Sequence, residues 1–258
     1  MRKTKYNYNL WSIIIVALLI IAIFYFNYIS LNKEGFSNII NRDDFDCYLI
    51  NLEKNPERLR DFSKYYDESD LSTTPFERID AINGKMINGD PEAYKEYISP
   101  TPTIEIPFTA GMVGCFLSHL SAYKKIAEGD KPYGIVMEDD AKMDPEIYEK
   151  YIKDVFKEIP EDWDIILFGY DIRFPKYHKY EKFDHYYKMQ EFWGLHFYML
   201  SKQSAQKLVD LMQPPFIHQL DGQLCILARE EKVKIYGIEN PVVFQVGEWN
   251  TDVQPPKQ

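Results

Sequence analysis

Four short stretches of this chain are apolar over most of their length: DCYLINL (46–52), YGIVM (133–137), DWDIILFGYD (162–171) and FWGLHFYML (192–200). A strand with one wet face alternates apolar and polar residues. A continuous apolar run needs cover on both faces, which a sheet gains when helices pack on its two sides. Helical patterns stand between these runs. EKNPERLRDF has Pro56 near a helix start, and GMVGCFLSHLSAYKKIAEGDKP places Met112, Cys115, Phe116, Leu117, Leu120, Tyr123 and Ile126 on one stripe, stopped by Gly129 and Pro132. DPEIYEKYIKDVF predicts a helix capped by Asp144, SKQSAQKLVDLM one capped by Ser201, and LDGQLCILAREE a short one. PFERIDAI (75–82), turning at Asn83-Gly84, and VKIYGI (233–238) predict two more strands. Residues 85–109, with Pro91, Pro100, Pro102 and Pro107, predict a loop. The pattern is that of an α/β domain over residues 45–258 with a largely parallel central sheet.

Residues 10–29, LWSIIIVALLIIAIFYFNYI, carry no charge. Twenty helical residues rise about 30 Å, enough to cross the hydrocarbon core of a bilayer. The run is too long for a signal-peptide core, and no small-x-small site follows it. Arg2, Lys3 and Lys5 precede it, whereas Lys33 and Arg42 after it are set against Glu34, Asp43 and Asp44. The positive-inside rule then predicts a cytoplasmic basic tail (1–9), a signal-anchor helix (10–29), a stem (30–44) and a lumenal or extracellular domain (45–258). The expectation is therefore a single-pass, type II membrane protein. A net charge of −10 excludes the basic footprint of a nucleic-acid binder. Cys47, Cys115 and Cys225 are odd in number and too widely spaced for a zinc pattern, so buried free thiols are expected, with one disulfide open to an oxidising lumen.

The run at 133–137 ends in Glu138, Asp139 and Asp140. Neighbouring carboxylates repel by roughly 1 kcal/mol per pair at ~4 Å in water, and by about 4 kcal/mol at an intermediate dielectric. A divalent cation would compensate. Ligands of open α/β sheets bind beyond the carboxyl ends of strands, where the acidic triplet, Asp171 and Asn51 all fall. Strand alternation puts Glu138 and Asp140 on one side and Asp139 on the other. Oxygen donors at this spacing suit Mg²⁺ or Mn²⁺, which in turn hold diphosphate oxygens.

The segments CYLINLEKNPERLRDF, ERIDAINGK, GMVGCFLSHLSAYKKI and YGIVMEDDA occur in the order seen in glycosyltransferase family 25. DIILFGYD, GLHFYMLSKQSAQKLV, HQLDGQL and PVVFQVGEWNTDV also resemble that family, so the likeness spans residues 45–253. The resemblance implies a GT-A fold and inverting transfer of a hexose, typically from UDP-galactose, with Mn²⁺. It maps the family's acidic motif onto Glu138-Asp139-Asp140, with Asp140 as metal ligand and Glu138 or Asp139 as second ligand or ribose contact. It implies Asn51, Arg58 and Asp80 at the nucleotide. It implies Asp221 as the base, a role for which helix capping competes, with Asp171 and Glu191 as runners-up. His119 would support the donor pocket, and His196 or His218 would supply a third metal ligand. The acceptor would be a glycan, a lipid-linked glycan or a protein hydroxyl. Residues 85–109 and 171–188 match no family pattern, so acceptor choice does not carry over. The reading from another class is a catalytically inactive GT-A domain acting as a membrane-anchored glycan-binding or structural protein.

Overall fold

The computed structural model describes residues 39–103, 106–171, 180–182 and 185–246, together with Leu19. The basic tail, the expected membrane span, most of the stem and the WNTDV segment lie outside them. Among the described residues no helix is long and apolar enough to cross a membrane. From Ile40 onward the described residues form one compact unit. Ile40 already belongs to the core of this unit. It is buried, its amide donates to the Lys153 carbonyl at 2.8 Å, and its carbonyl accepts from the Tyr148 hydroxyl at 2.8 Å.

The strands are β1 (Phe45–Asn51), β2 (Phe76–Asp80), β3 (Tyr133–Glu138), β4 (Ala141–Met143), β5 (Ile165–Asp171), β6 (Tyr180–Lys182), β7 (Tyr186–Met189), β8 (Trp193–Ser201), β9 (Ile235–Ile238) and β10 (Val243–Gln245). The α-helices are α1 (Pro56–Asp67), α2 (Ala110–Glu128), α3 (Lys202–Leu211) and α4 (Leu220–Arg229). Eight strands form one sheet in the order β2-β1-β3-β8-β5-β9-β7-β6, and β4 pairs with β10 separately. Six of the eight run in one direction, while β8 and β7 run against them, so the largely parallel sheet that was expected is in fact mixed. Periodicity fixes which residues are buried but not the direction of a strand. That depends on where the preceding connection delivers the chain, and β8 enters from the same edge at which β5 ends, Asp171 standing opposite Trp193.

The apolar runs form the centre of the sheet. Leu49, Ile135, Val136, Ile165, Leu167, Phe197 and Met199 are all fully buried. Helix α2 lays Met112, Phe116, Leu120, Tyr123 and Ile126 into the core, while Cys115 and Leu117 at the edge of the stripe are half-buried. Thr109 caps this helix through its hydroxyl and Ser201 caps α3, accepting from the Ser204 amide at 3.0 Å. The helix expected over 144–156 is absent. Tyr148–Ile152 and Val155–Lys157 are short separate turns, because the Asp70 carboxylate takes the Tyr148 and Glu149 amides and Arg42 stacks on the Tyr148 ring. The Pro-rich segment is a loop with two 3₁₀ turns. It is held by backbone hydrogen bonds that pair Tyr97 and Ser99 with Phe216, and Thr103 with Ile217. Strands β6 and β7 pair antiparallel, which the sequence did not signal.

One close approach positions the first turn of α2. A side chain on Gly114 would place its Cβ 2.4 Å from the Ile82 carbonyl oxygen, and one on Gly84 would meet the Ala110 carbonyl. The pair of glycines therefore lets the helix start press on the turn after β2, where the Ser118 hydroxyl also accepts from the Ile82 amide at 2.8 Å. Gly114→Ala should lower stability by about 1–3 kcal/mol in urea unfolding. An unchanged midpoint would show that helix and turn do not touch.

Candidate active site

Four strands, the adjacent β2, β1 and β3 and then β5 beyond β8, deliver their last residues to one end of the sheet. Asn51 stands opposite Asp80, Ile50 opposite Glu138, and Asp171 opposite Trp193 at the start of β8. Strand β3 ends at Glu138, and Asp139 and Asp140 form the turn that leads into β4. Strict alternation therefore stops before the last two acids, and both face the same cation. One Arg58 nitrogen lies 2.6 Å from Asp139 and 2.8 Å from Asp140. Asp139 also accepts from the Asn51 amide at 2.7 Å, and Asn51 in turn accepts from Arg78 at 2.9 Å. Arg78 continues the chain to Asp80, which is exposed.

The expectation that a divalent cation compensates the triplet thus meets a structure in which the chain compensates much of it internally. Arg58, expected at the nucleotide, sits on the acids, and Asn51 ties β1 to them. Glu138 takes a different partner. His119 in α2 lies 3.0 Å from its carboxylate through Nε2, and its Nδ1 lies 2.7 Å from the Tyr198 hydroxyl. Burial pushes Glu138 up, but the His119 hydrogen bond and the fields of His119, His196 and Arg58 hold it below the usual carboxylate range. Asp140 goes the other way. Burial, reinforced by repulsion from Glu138 and opposed by Arg58, raises it to about 7. Its Oδ1 is buried without a hydrogen-bond partner.

Asp221 approaches the same region from the first turn of α4. One carboxylate oxygen accepts from the Gly194 amide at 3.2 Å and the other from the Gly222 amide at 2.8 Å. Gly194 has φ +76°, a left-handed conformation that turns its amide to this task. Burial raises the Asp221 pKa against these backbone hydrogen bonds. The Cys115 thiol, half-buried on α2, is pushed up by burial and then by the charges of Glu138, Asp221 and Asp140, so one sulfur feels both halves of the site.

The histidines separate. His196 Nε2 is 2.9 Å from the Val243 carbonyl, to which it donates, which leaves Nδ1 a buried lone pair without a partner; burial lowers its pKa. His218 lines a cavity of about 390 Å³ with Glu191, Trp193, Gly222 and Arg229, and burial lowers its pKa too. Glu191 pairs with Arg229 at 3.1 Å on that cavity rather than with the triplet. Asp171 ends β5 beside Trp193. All three cysteines are free. Residue-by-residue reading missed Arg78, Tyr198 and Gly194. Arg78 had a signal, since it precedes Asp80 by two on a strand and so shares its face.

The model of glycosyltransferase family 25, an LPS biosynthesis protein family, matches residues 45–221. A glycosyltransferase 25 family member of Aedes aegypti is 29% identical over 148 residues, which cover 54% of this chain and 22% of that protein. Human procollagen galactosyltransferase 2 is 26% identical over 144 residues, covering 54% and 21%. The chain spans about a fifth of the length of these curated relatives. Among solved structures, an active-site mutant of LgtC aligns with a TM-score of 0.38 at 11% identity, over 72% of this chain and 64% of that one. With its matched region running from the first strand through Asp221, the chain belongs to glycosyltransferase family 25.

Proposed function

We propose that this domain transfers a hexose from a nucleotide sugar, galactose from UDP-galactose in the first instance, to a hydroxyl of a glycan, lipid-linked or protein acceptor, with inversion. The observation that carries this reading is the convergence of Asn51, Glu138, Asp139, Asp140, Asp171 and Asp221 at one sheet edge in a chain of this family. The galactose assignment is supported by the procollagen galactosyltransferases among its relatives.

The donor set fits a hard divalent cation, Mn²⁺ or Mg²⁺, because Asp140 holds a buried oxygen with no partner beside a second acid, Glu138 or Asp139. When bound, such a cation offsets the charge of the departing diphosphate. The chain's own groups do the rest. The acceptor oxygen attacks the anomeric carbon as the bond to the diphosphate breaks, and Asp221, its pKa raised by burial, takes the hydroxyl proton. Glu138, held anionic, supplies negative charge to the oxocarbenium-like transition state. Trp193, 41% exposed beside the cavity, offers a face for an acceptor sugar ring.

A second reading, a catalytically silent glycan-binding domain, draws on Arg58, whose one guanidinium pairs with both Asp139 and Asp140 without a metal ion. UDP release over a panel of UDP-sugars, with Mn²⁺ or EDTA, separates the two. We expect one donor to be consumed, with at least tenfold loss on EDTA and on Asp140→Ala. Asp221→Asn should cost roughly 10²–10⁴-fold in transfer while calorimetry still shows donor binding. Folded protein that binds neither Mn²⁺ nor donor would overturn the transferase reading and leave the silent one standing.

Asp140 also predicts a stability signature. Its folded pKa of about 7 exceeds the ordinary carboxylate value, so its contribution to stability is fully present below pH ~4 and is lost as pH rises through 7. Asp140→Asn should therefore be more stable than the native chain at pH 8, by about 1–3 kcal/mol, with the gap closing toward pH 4. Equal unfolding midpoints at pH 8 would refute the raised pKa.

The uncharged run 10–29, with basic residues on its amino side, supports a type II anchor that places the domain in a lumen or outside the cell. The expressed chain should then stay with membranes through alkaline carbonate washing. Its release into the wash would remove that assignment.

A further inference from the structure

Cys115 and His119 are four residues apart on α2 and so share one face of the helix. That face meets the end of β3. Cys115 Sγ, a ring nitrogen of His119 and a carboxylate oxygen of Glu138 lie within 4.8 Å of one another, the one such group of three among the described residues. Three further observations fit a bound cation. His119 is buried, and its Nδ1 is held by the Tyr198 hydroxyl at 2.7 Å, which orients Nε2 toward Glu138. Metal-binding histidines donate their far ring N–H to a fixed acceptor, a place the Tyr198 hydroxyl takes here. The field is negative, since Glu138, Asp221 and Asp140 all act on the Cys115 sulfur. Cys115 itself is half-buried, whereas Cys47 and Cys225 are buried.

We propose that Cys115, His119 and Glu138 form a site for a borderline divalent cation of the zinc type, separate in ligand chemistry from the hard-cation site at Asp140. Thiolate and imidazole select zinc over manganese, which prefers carboxylate and water. Zinc donors stand roughly 3.3–3.7 Å apart at bond lengths of about 2.0–2.3 Å, so shifts of about an ångström close the set. On binding, the Cys115 thiol loses its proton to solvent. The His119 ring proton resides on Nδ1, with the Tyr198 hydroxyl turned to accept it. The fourth position stays open to solvent. Because Glu138 serves both sites, zinc bound here withdraws it from the donor edge and inhibits transfer. That consequence, unlike the binding itself, rests on the transferase reading above.

Cobalt is the probe, because a thiolate bound to Co²⁺ gives a near-ultraviolet charge-transfer band that carboxylate ligands do not. The full chain, freed of metal and kept reduced with a phosphine, is titrated with Co²⁺ and then Zn²⁺. One equivalent of Co²⁺ should saturate the band and Zn²⁺ should erase it. Cys115→Ser should abolish it and His119→Ala should weaken Co²⁺ binding at least tenfold, while Cys225→Ser keeps it. Circular dichroism confirms that each variant is folded. No band in the folded native chain, or a band that survives Cys115→Ser, overturns the site. UDP release is read separately. Zinc should inhibit the native chain and not Cys115→Ser. A band without any transferase activity would leave the site standing and remove the functional reading alone.

Discussion

The ion pair of Arg58 with Asp139 and Asp140 is what permits this sheet edge to exist. Three consecutive acids at the end of a buried strand would repel one another across a medium that screens them poorly. One guanidinium, delivered from the first turns of α1, lies within 2.8 Å of both Asp139 and Asp140. Asn51 adds a neutral donor to Asp139 from the end of β1. The acids are thereby tied to the two elements that precede them in the chain, and β1, α1 and β3 are fixed to each other at the point where ligands of an α/β sheet bind. Leaving one member of such a cluster unpaired in the interior costs more than the pair contributes when complete. Arg58 and the acids are thus interdependent.

The compensation is uneven, and the unevenness is where the chemistry lies. Glu138 is held anionic by His119, while Asp140 is left with a raised pKa and an oxygen that nothing in the protein occupies. Two acids two residues apart are driven in opposite directions by their surroundings, a separation typical of sites whose groups have different tasks. Asp221 is raised by burial as well, yet two backbone amides orient it. Helix capping and catalysis were rival explanations of this residue in the sequence. In the structure the N-cap is Gln219 and Asp221 stands within the first turn, where one oxygen accepts from the Gly222 amide and the other from Gly194 of β8, so two backbone amides position the group.

Much of this was legible from residue order. The apolar runs became the buried strands, and Ser201, Pro56 and Gly129 marked helix ends where expected. The convergence of Asn51, Glu138 and Asp171 at one edge followed from strands running in one direction. Strand β8 broke the pattern, because its reversal is set by tertiary connection rather than by composition. The alternation rule failed at Asp139 for a local reason, since β3 ends one residue earlier. The contacts of Arg58 were beyond sequence reading altogether. An arginine in the first turns of an amphipathic helix is indistinguishable from a solvated charge until the strand 82 residues later is placed beside it.

Helix α2 then explains why a motif with no charged residue in its core matters as much as the acids. Gly114 admits the helix start against the Ile82 carbonyl, and that close approach sets the axial position of everything after it. Cys115 and His119 fall on the face toward β3, and Ser118 bonds back to the Ile82 amide. A side chain at 114 would lift the helix, and with it the His119 ring that holds Glu138 anionic and the Cys115 sulfur that lies within 4.8 Å of the Glu138 carboxylate. The glycine, the cysteine and the histidine are therefore one device: the first brings the helix close enough for the other two to reach the end of the strand.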